Sequence, residues 1–138
     1  SREYALKLLY QLDINSFNEA SSQVEEFFKY HSLEEKVREF SEILVKGVLE
    51  HRDRIDKLIS SYAHNWELER MAYVDRNILR LACFELLYLE DVPAKVSINE
   101  AIELAKKYGD LESAKFVNGI LDSVAKKDAP SSKWDKDS

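Results

Sequence analysis

Apolar residues recur along most of this chain with the 3.6-residue period of a helix, not the alternation of a strand. Ala5, Leu8, Leu9 and Leu12 fall at i, i+3, i+4 and i+7, which predicts a first amphipathic helix ending near Asn15. The longest periodic run carries Val37, Phe40, Leu44, Val48, Ile55, Leu58, Ile59 and Tyr62 on one face, with room for a bend at His51-Arg52-Asp53. In "AHNWELERMAY", 63–73, the period lapses, so a connection with one short helical turn is predicted there, dividing the chain in two. Residues 75–90, "DRNILRLACFELLYLE", are apolar on nearly every side, and between Ile78 and Leu89 only Arg80 and Glu85 are charged. Such a helix belongs in the middle of a bundle. After Pro93, the residues Ile98, Ala101, Ile102, Ala105 and Tyr108 mark a further helix with Gly109 placed to cap it, and Leu111 to Lys127 form the last.

The pattern Ser-x-x-Glu occurs at Ser22 and Glu25, Ser32 and Glu35, and Ser97 and Glu100, each the signature of a capped helix start. "KFVNGILD", 115–122, raises a conflict: Asn118-Gly119 is a turn dipeptide, yet Phe116, Val117, Ile120, Leu121 and Val124 around it keep helical spacing. A helix-interior glycine costs about 1 kcal/mol relative to alanine, so a reason for it is needed. A close approach by the central helix, 75–90, is the reason expected, with Asn118 bonded to a buried backbone group.

Only three glycines and two prolines occur in 138 residues, so turns are scarce and an all-α fold of about six to seven helices is expected. That length fits one domain, 1–128, in two packed subdomains, 1–64 and 65–128, followed by a disordered polar tail at 129–138. Hydrophobic residues at 45% and charged residues at 33% describe a soluble protein with no membrane-spanning run. The one cysteine, Cys83, permits no internal disulfide and suits the cytoplasm. Met71 is the sole methionine and does not stand first, so the chain is expected to be a piece of its gene product.

A net charge of −6 argues against binding nucleic acid over the whole surface but allows a local basic patch. Lys106, Lys107, Lys115, Lys126 and Lys127 on the last two helices, with Arg2 and Lys7 on the first, would make one beside Tyr108 and Phe116 if those helix ends converge. His31, His51 and His64 lack the short spacings of a metal site, and Cys83 in the most apolar helix is expected to pack rather than react. No glycine-rich phosphate loop, nucleophile elbow or helical Glu-x-x-His pair is present, so neither enzyme chemistry, a metal nor a cofactor is expected. Arg80 and Glu85 are expected to form internal ion pairs. Asp75 lies at a helix start, where its carboxylate suits the first turn and is expected to be accessible.

"REYALKLLYQLDI" at 2–14, "YVDRNILRLACFELLYLEDVPAKVSINEAIELAKKYG" at 73–109 and "SAKFVNGILDSVAK" at 113–126 together resemble the NusB family of bacterial transcription antitermination factors. The resemblance implies an all-helical, two-subdomain, non-enzymatic protein that pairs with the ribosomal protein NusE and binds box A RNA. With other Nus factors, such a heterodimer keeps RNA polymerase elongating through rRNA operons. It places Arg2, Lys115, Phe116 and Glu112 on the RNA side. Tyr10 and Asp75 fall on the partner side, as does Tyr108, which could equally serve RNA or the core. Two alternatives share the fold: the NusB-like domain of an rRNA cytosine methyltransferase, and a self-associating bundle whose homodimer hides the RNA surface.

Overall fold

The structure, a computed structural model, describes residues 1–63 and 68–135. Its helices are α1 (Arg2–Ile14), α2 (Ala20–Tyr30), α3 (Glu35–Tyr62), α4 (Tyr73–Tyr88), α5 (Ala94–Tyr108), α6 (Leu111–Lys127) and a short α7 (Ser132–Asp135), with a 3-10 turn at Leu68–Arg70. Every residue from Asn77 to Leu86 is buried, because α4 packs against α1, α3, α5 and α6 at once. One contiguous apolar core runs through both halves of the chain, from Leu8, Leu9 and Leu12 through Leu44, Val48 and Ile59 to Val117, Leu121 and Val124. The fold is all-α, as the helical period and the scarcity of glycine and proline require.

α3 does bend: His51 has φ −108° and ψ 15°, outside the helical region. Its ring stacks on Tyr88 with centroids 3.9 Å apart. His31 follows α2 as its C-cap, with its ring 4.2 Å from that of Phe27. His64 lies outside the described residues.

The charges on α4 have internal partners. Glu85 takes a paired hydrogen bond from Arg2, at 2.9 and 2.7 Å. Arg80 donates to Asp56 at 2.8 and 3.0 Å and to Asp13 at 2.8 Å. Arg76 adds a second guanidinium on Asp13, at 2.6 and 2.7 Å, and Asn77 Nδ2 a further donor at 2.8 Å. A buried carboxylate so surrounded is favoured in its charged form. Burial works to raise the Asp13 pKa, but the bonds from Arg76 and Asn77 and the charge of Arg80 outweigh it and hold it below the usual carboxylate value.

None of the three Ser-x-x-Glu patterns caps a helix. Ser22 and Ser97 lie inside α2 and α5, and Ser32 precedes the α3 N-cap, Glu34; none of the three helices has a side-chain cap hydrogen bond. Ser97 is buried and gives its hydroxyl to Glu85 at 2.9 Å, a tertiary partner that displaced the local one. Nor do residues 129–135 form a free polar tail, and 136–138 lie outside the described residues. Lys133 on α7 is buried and donates to the carbonyls of Glu85 and Leu89 at 2.6 and 2.7 Å, satisfying the C-terminal end of α4.

Candidate functional site

Four helix segments meet on one side of the molecule: the exposed face of α1, the start of α4, the end of α5 and the start of α6. The α5–α6 turn fixes their arrangement. Gly109 ends α5, and a Cβ there would stand 2.7 Å from Ser113 Oγ and 2.9 Å from the Ala105 carbonyl, so only glycine fits. Asp110 then caps α6 by accepting from the Ser113 N–H at 2.8 Å. Ser113 also donates its hydroxyl to Asp75 Oδ2 at 3.3 Å, joining α6 to the first turn of α4.

Asp75 is not the accessible acid expected. It is partly buried, and its Oδ1 is buried with no hydrogen-bond partner among the described residues. Burial, helped by the charge of Asp110, pushes its pKa up against the smaller opposing effect of Ser113. The carboxyl borders a cleft of about 420 Å³ whose lining includes Met71, Asp110, Glu112, Ser113 and Phe116. Glu112, on its rim, and Lys115, outside it, are exposed and 3.9 Å apart.

A second part of the same side is aromatic. Tyr10 and Tyr73 stand edge to face with centroids 5.9 Å apart, and both remain exposed, at 39% and 41%. Ile14, one turn further along α1, is also exposed. Large apolar side chains left open in a group mark a contact surface. Toward the start of α1, Tyr108 of α5 donates its hydroxyl to Glu3 at 3.1 Å, while Lys107 pairs with the same carboxylate at 2.8 Å. Those two bonds hold the Glu3 pKa low, Lys107 contributing most.

The anticipated basic strip is therefore only partly assembled. The ends of α1 and α5 do converge, but Lys107 is committed to Glu3. Arg2, expected to face RNA, has its guanidinium held by Glu85 with only 19% of the side chain exposed. Lys115, Lys126 and Phe116 remain along α6.

Among proteins compared with this one, the family model described as NusB matches residues 1–126. The chain belongs to the NusB family. Transcription antitermination protein NusB of Bacillus subtilis is 49% identical over 124 residues, covering 90% of this chain and 91% of that protein. The structure of T. maritima NusB superposes with a TM-score of 0.88 at 42% identity, over 96% of this chain and 92% of the other. A crystal structure of antitermination factors NusB and NusE in complex with dsRNA matches with a TM-score of 0.80 at 29% identity, over 91% and 92% of the two chains. These relatives are named as antitermination factors.

In this NusB-family chain, Asp75, assigned from sequence to a protein partner, and Glu112 and Phe116, assigned to RNA, border one cleft. Sequence reasoning missed Tyr73, Ile14 and Ser113. Tyr73 lies where the helical period had lapsed, and Ser113 matters only through its tertiary bond to Asp75, so periodicity could reveal neither. The one available signal was Ile14, two residues past the last position of the α1 apolar stripe and off its buried face.

Proposed function

We propose that this chain is an antitermination factor that binds box A RNA as a heterodimer with NusE and supports transcription of rRNA operons. Tyr10, Tyr73, Ile14 and Asp75 form the protein-partner side, and Lys115, Glu112 and Phe116 the RNA side. The observation that supports the reading is that Asp75, Glu112 and Phe116 border one cleft, with Ser113 of α6 bonded to Asp75 of α4 beside it. The related structure of NusB and NusE with dsRNA supports both classes of partner. Arg2 serves the fold through Glu85 in this reading, and Tyr108 braces α5 against α1 through Glu3.

Titrating labelled box A RNA with the chain, with and without NusE over a salt series, tests the proposal. Affinity is expected to rise with NusE and to fall with salt, as for any contact that displaces counterions from phosphates. Phe116→Ala is expected to weaken RNA binding by about tenfold, the order of one lost stacking contact, with helical content retained. Asp75→Lys is expected to abolish the heat of NusE binding in calorimetry. Unchanged RNA affinity in the first variant, or unchanged NusE affinity in the second, would remove that residue from its surface.

A further inference from the structure

The three glycines of the chain have unlike surroundings. The Phe84 ring occupies the space a Cβ would need at Gly47, and Ser113 and the Ala105 carbonyl occupy it at Gly109. At Gly119 an added Cβ would meet nothing within 4 Å among the described residues. Gly119 is exposed in the interior of α6, and none of the glycines has a positive φ. The approach by the central helix expected from sequence does not occur there, and Asn118 is exposed rather than bonded to a buried group. A glycine in a helix interior costs about 1 kcal/mol against alanine, and neither packing nor backbone conformation requires this one.

At 3.6 residues per turn, Lys115, Gly119 and Lys126 fall within about 40° of one another around the helix axis. They lie opposite Val117, Ile120, Leu121 and Val124, which are buried. Gly119 is thus a notch in an exposed ridge, roughly 6 Å along the axis from Lys115 and roughly 10 Å from Lys126. The lysine side chains are 78% and 65% exposed, and their acidic neighbours, Glu112 at 3.9 Å and Asp122 at 3.0 Å, are exposed as well. Ion pairs of this kind contribute little and exchange readily for a phosphate.

We propose that Gly119 is a close-approach position for the sugar-phosphate backbone of bound RNA, with Lys115 and Lys126 as flanking phosphate contacts. The strand then continues from Phe116 along the exposed ridge of α6. This rests on the RNA-binding reading above. Continuity with Lys115 and Phe116, about one turn away, and the two cations favour RNA over a protein segment as the occupant.

The test measures melting temperature, NusE affinity and affinity for labelled single-stranded RNA carrying box A and flanking nucleotides, the last with NusE present. Gly119→Ala and Gly119→Leu introduce better helix formers, so both are expected to melt at or above the wild-type temperature. RNA binding is nonetheless expected to weaken by about threefold and about tenfold, following the added bulk. Lys126→Gln is expected to weaken binding and to flatten the salt slope by about one. Stabilised Gly119 variants with wild-type RNA affinity would overturn the proposal. So would variants that lose NusE and keep RNA, which would assign the ridge to protein. If Phe116→Ala alone weakens RNA binding, the functional reading stands and this proposal falls; a wild-type heterodimer that binds no RNA sinks both.

Discussion

Asp75 is a side chain whose burial works against the fold that holds it. Its Oδ1 is buried without a hydrogen bond among the described residues, and burial raises its pKa. A carboxyl with a raised pKa in the folded state binds its proton more tightly there than when unfolded. Stability from Asp75 is therefore fully present below the unfolded value, about 3.9, and is lost as pH rises through the raised folded value. Asp75→Asn removes the buried charge and keeps an acceptor for Ser113. It is expected to raise the melting temperature at neutral pH, with the gain vanishing below about pH 4. A thermal scan across pH that finds no gain at neutrality would show the carboxylate already satisfied.

At the scale of elements, the crossing of α3 and α4 depends on Gly47, where the Phe84 ring takes the place of a side chain. Gly47→Ala forces that ring off its rotamer or the helices apart, and overpacking of this kind costs about 1–3 kcal/mol. Pairing it with Phe84→Leu should restore part of the loss in urea unfolding, whereas purely additive destabilisation would deny the contact. The apolar stripes made the helices legible: α1, α4 and α6 run within two residues of where their periodicity placed them. Helix starts were not legible from Ser-x-x-Glu, because a serine four residues into α5 found Glu85 and because α2 and α3 begin without a side-chain cap. The side-chain cap that does form, Asp110 on α6, has Ser113 and not an acid three residues on, so the motif does not contain it.

At the scale of the molecule, Asp13 on α1 ties the first half of the chain to the second. Arg76 and Arg80 on α4 converge on it, and Arg80 continues to Asp56 on α3. Replacing Asp13 by Ala leaves two guanidinium groups short of a counter-charge, and breaking a buried pair in this way costs about 3–5 kcal/mol. Urea unfolding measures the loss; a change below about 1 kcal/mol would mean the network contributes no more than an exposed pair. Because the folded Asp13 pKa is lowered, its contribution is present above the unfolded value and lost as pH falls through the folded one.

Sequence by itself determined the helical period, the burial of α4 and the demand that Arg80 and Glu85 find partners, since these follow from residue type and spacing along one chain. It also carried the family, through motifs whose order and spacing are local properties. Tertiary structure alone decided which acid met which arginine, that Arg2 turns inward to Glu85, that Asp75 and Phe116 share a cleft, and that Gly119 faces open space. Those outcomes depend on the distances between helices far apart in sequence, and a helix reads the same whichever neighbour its outer face meets.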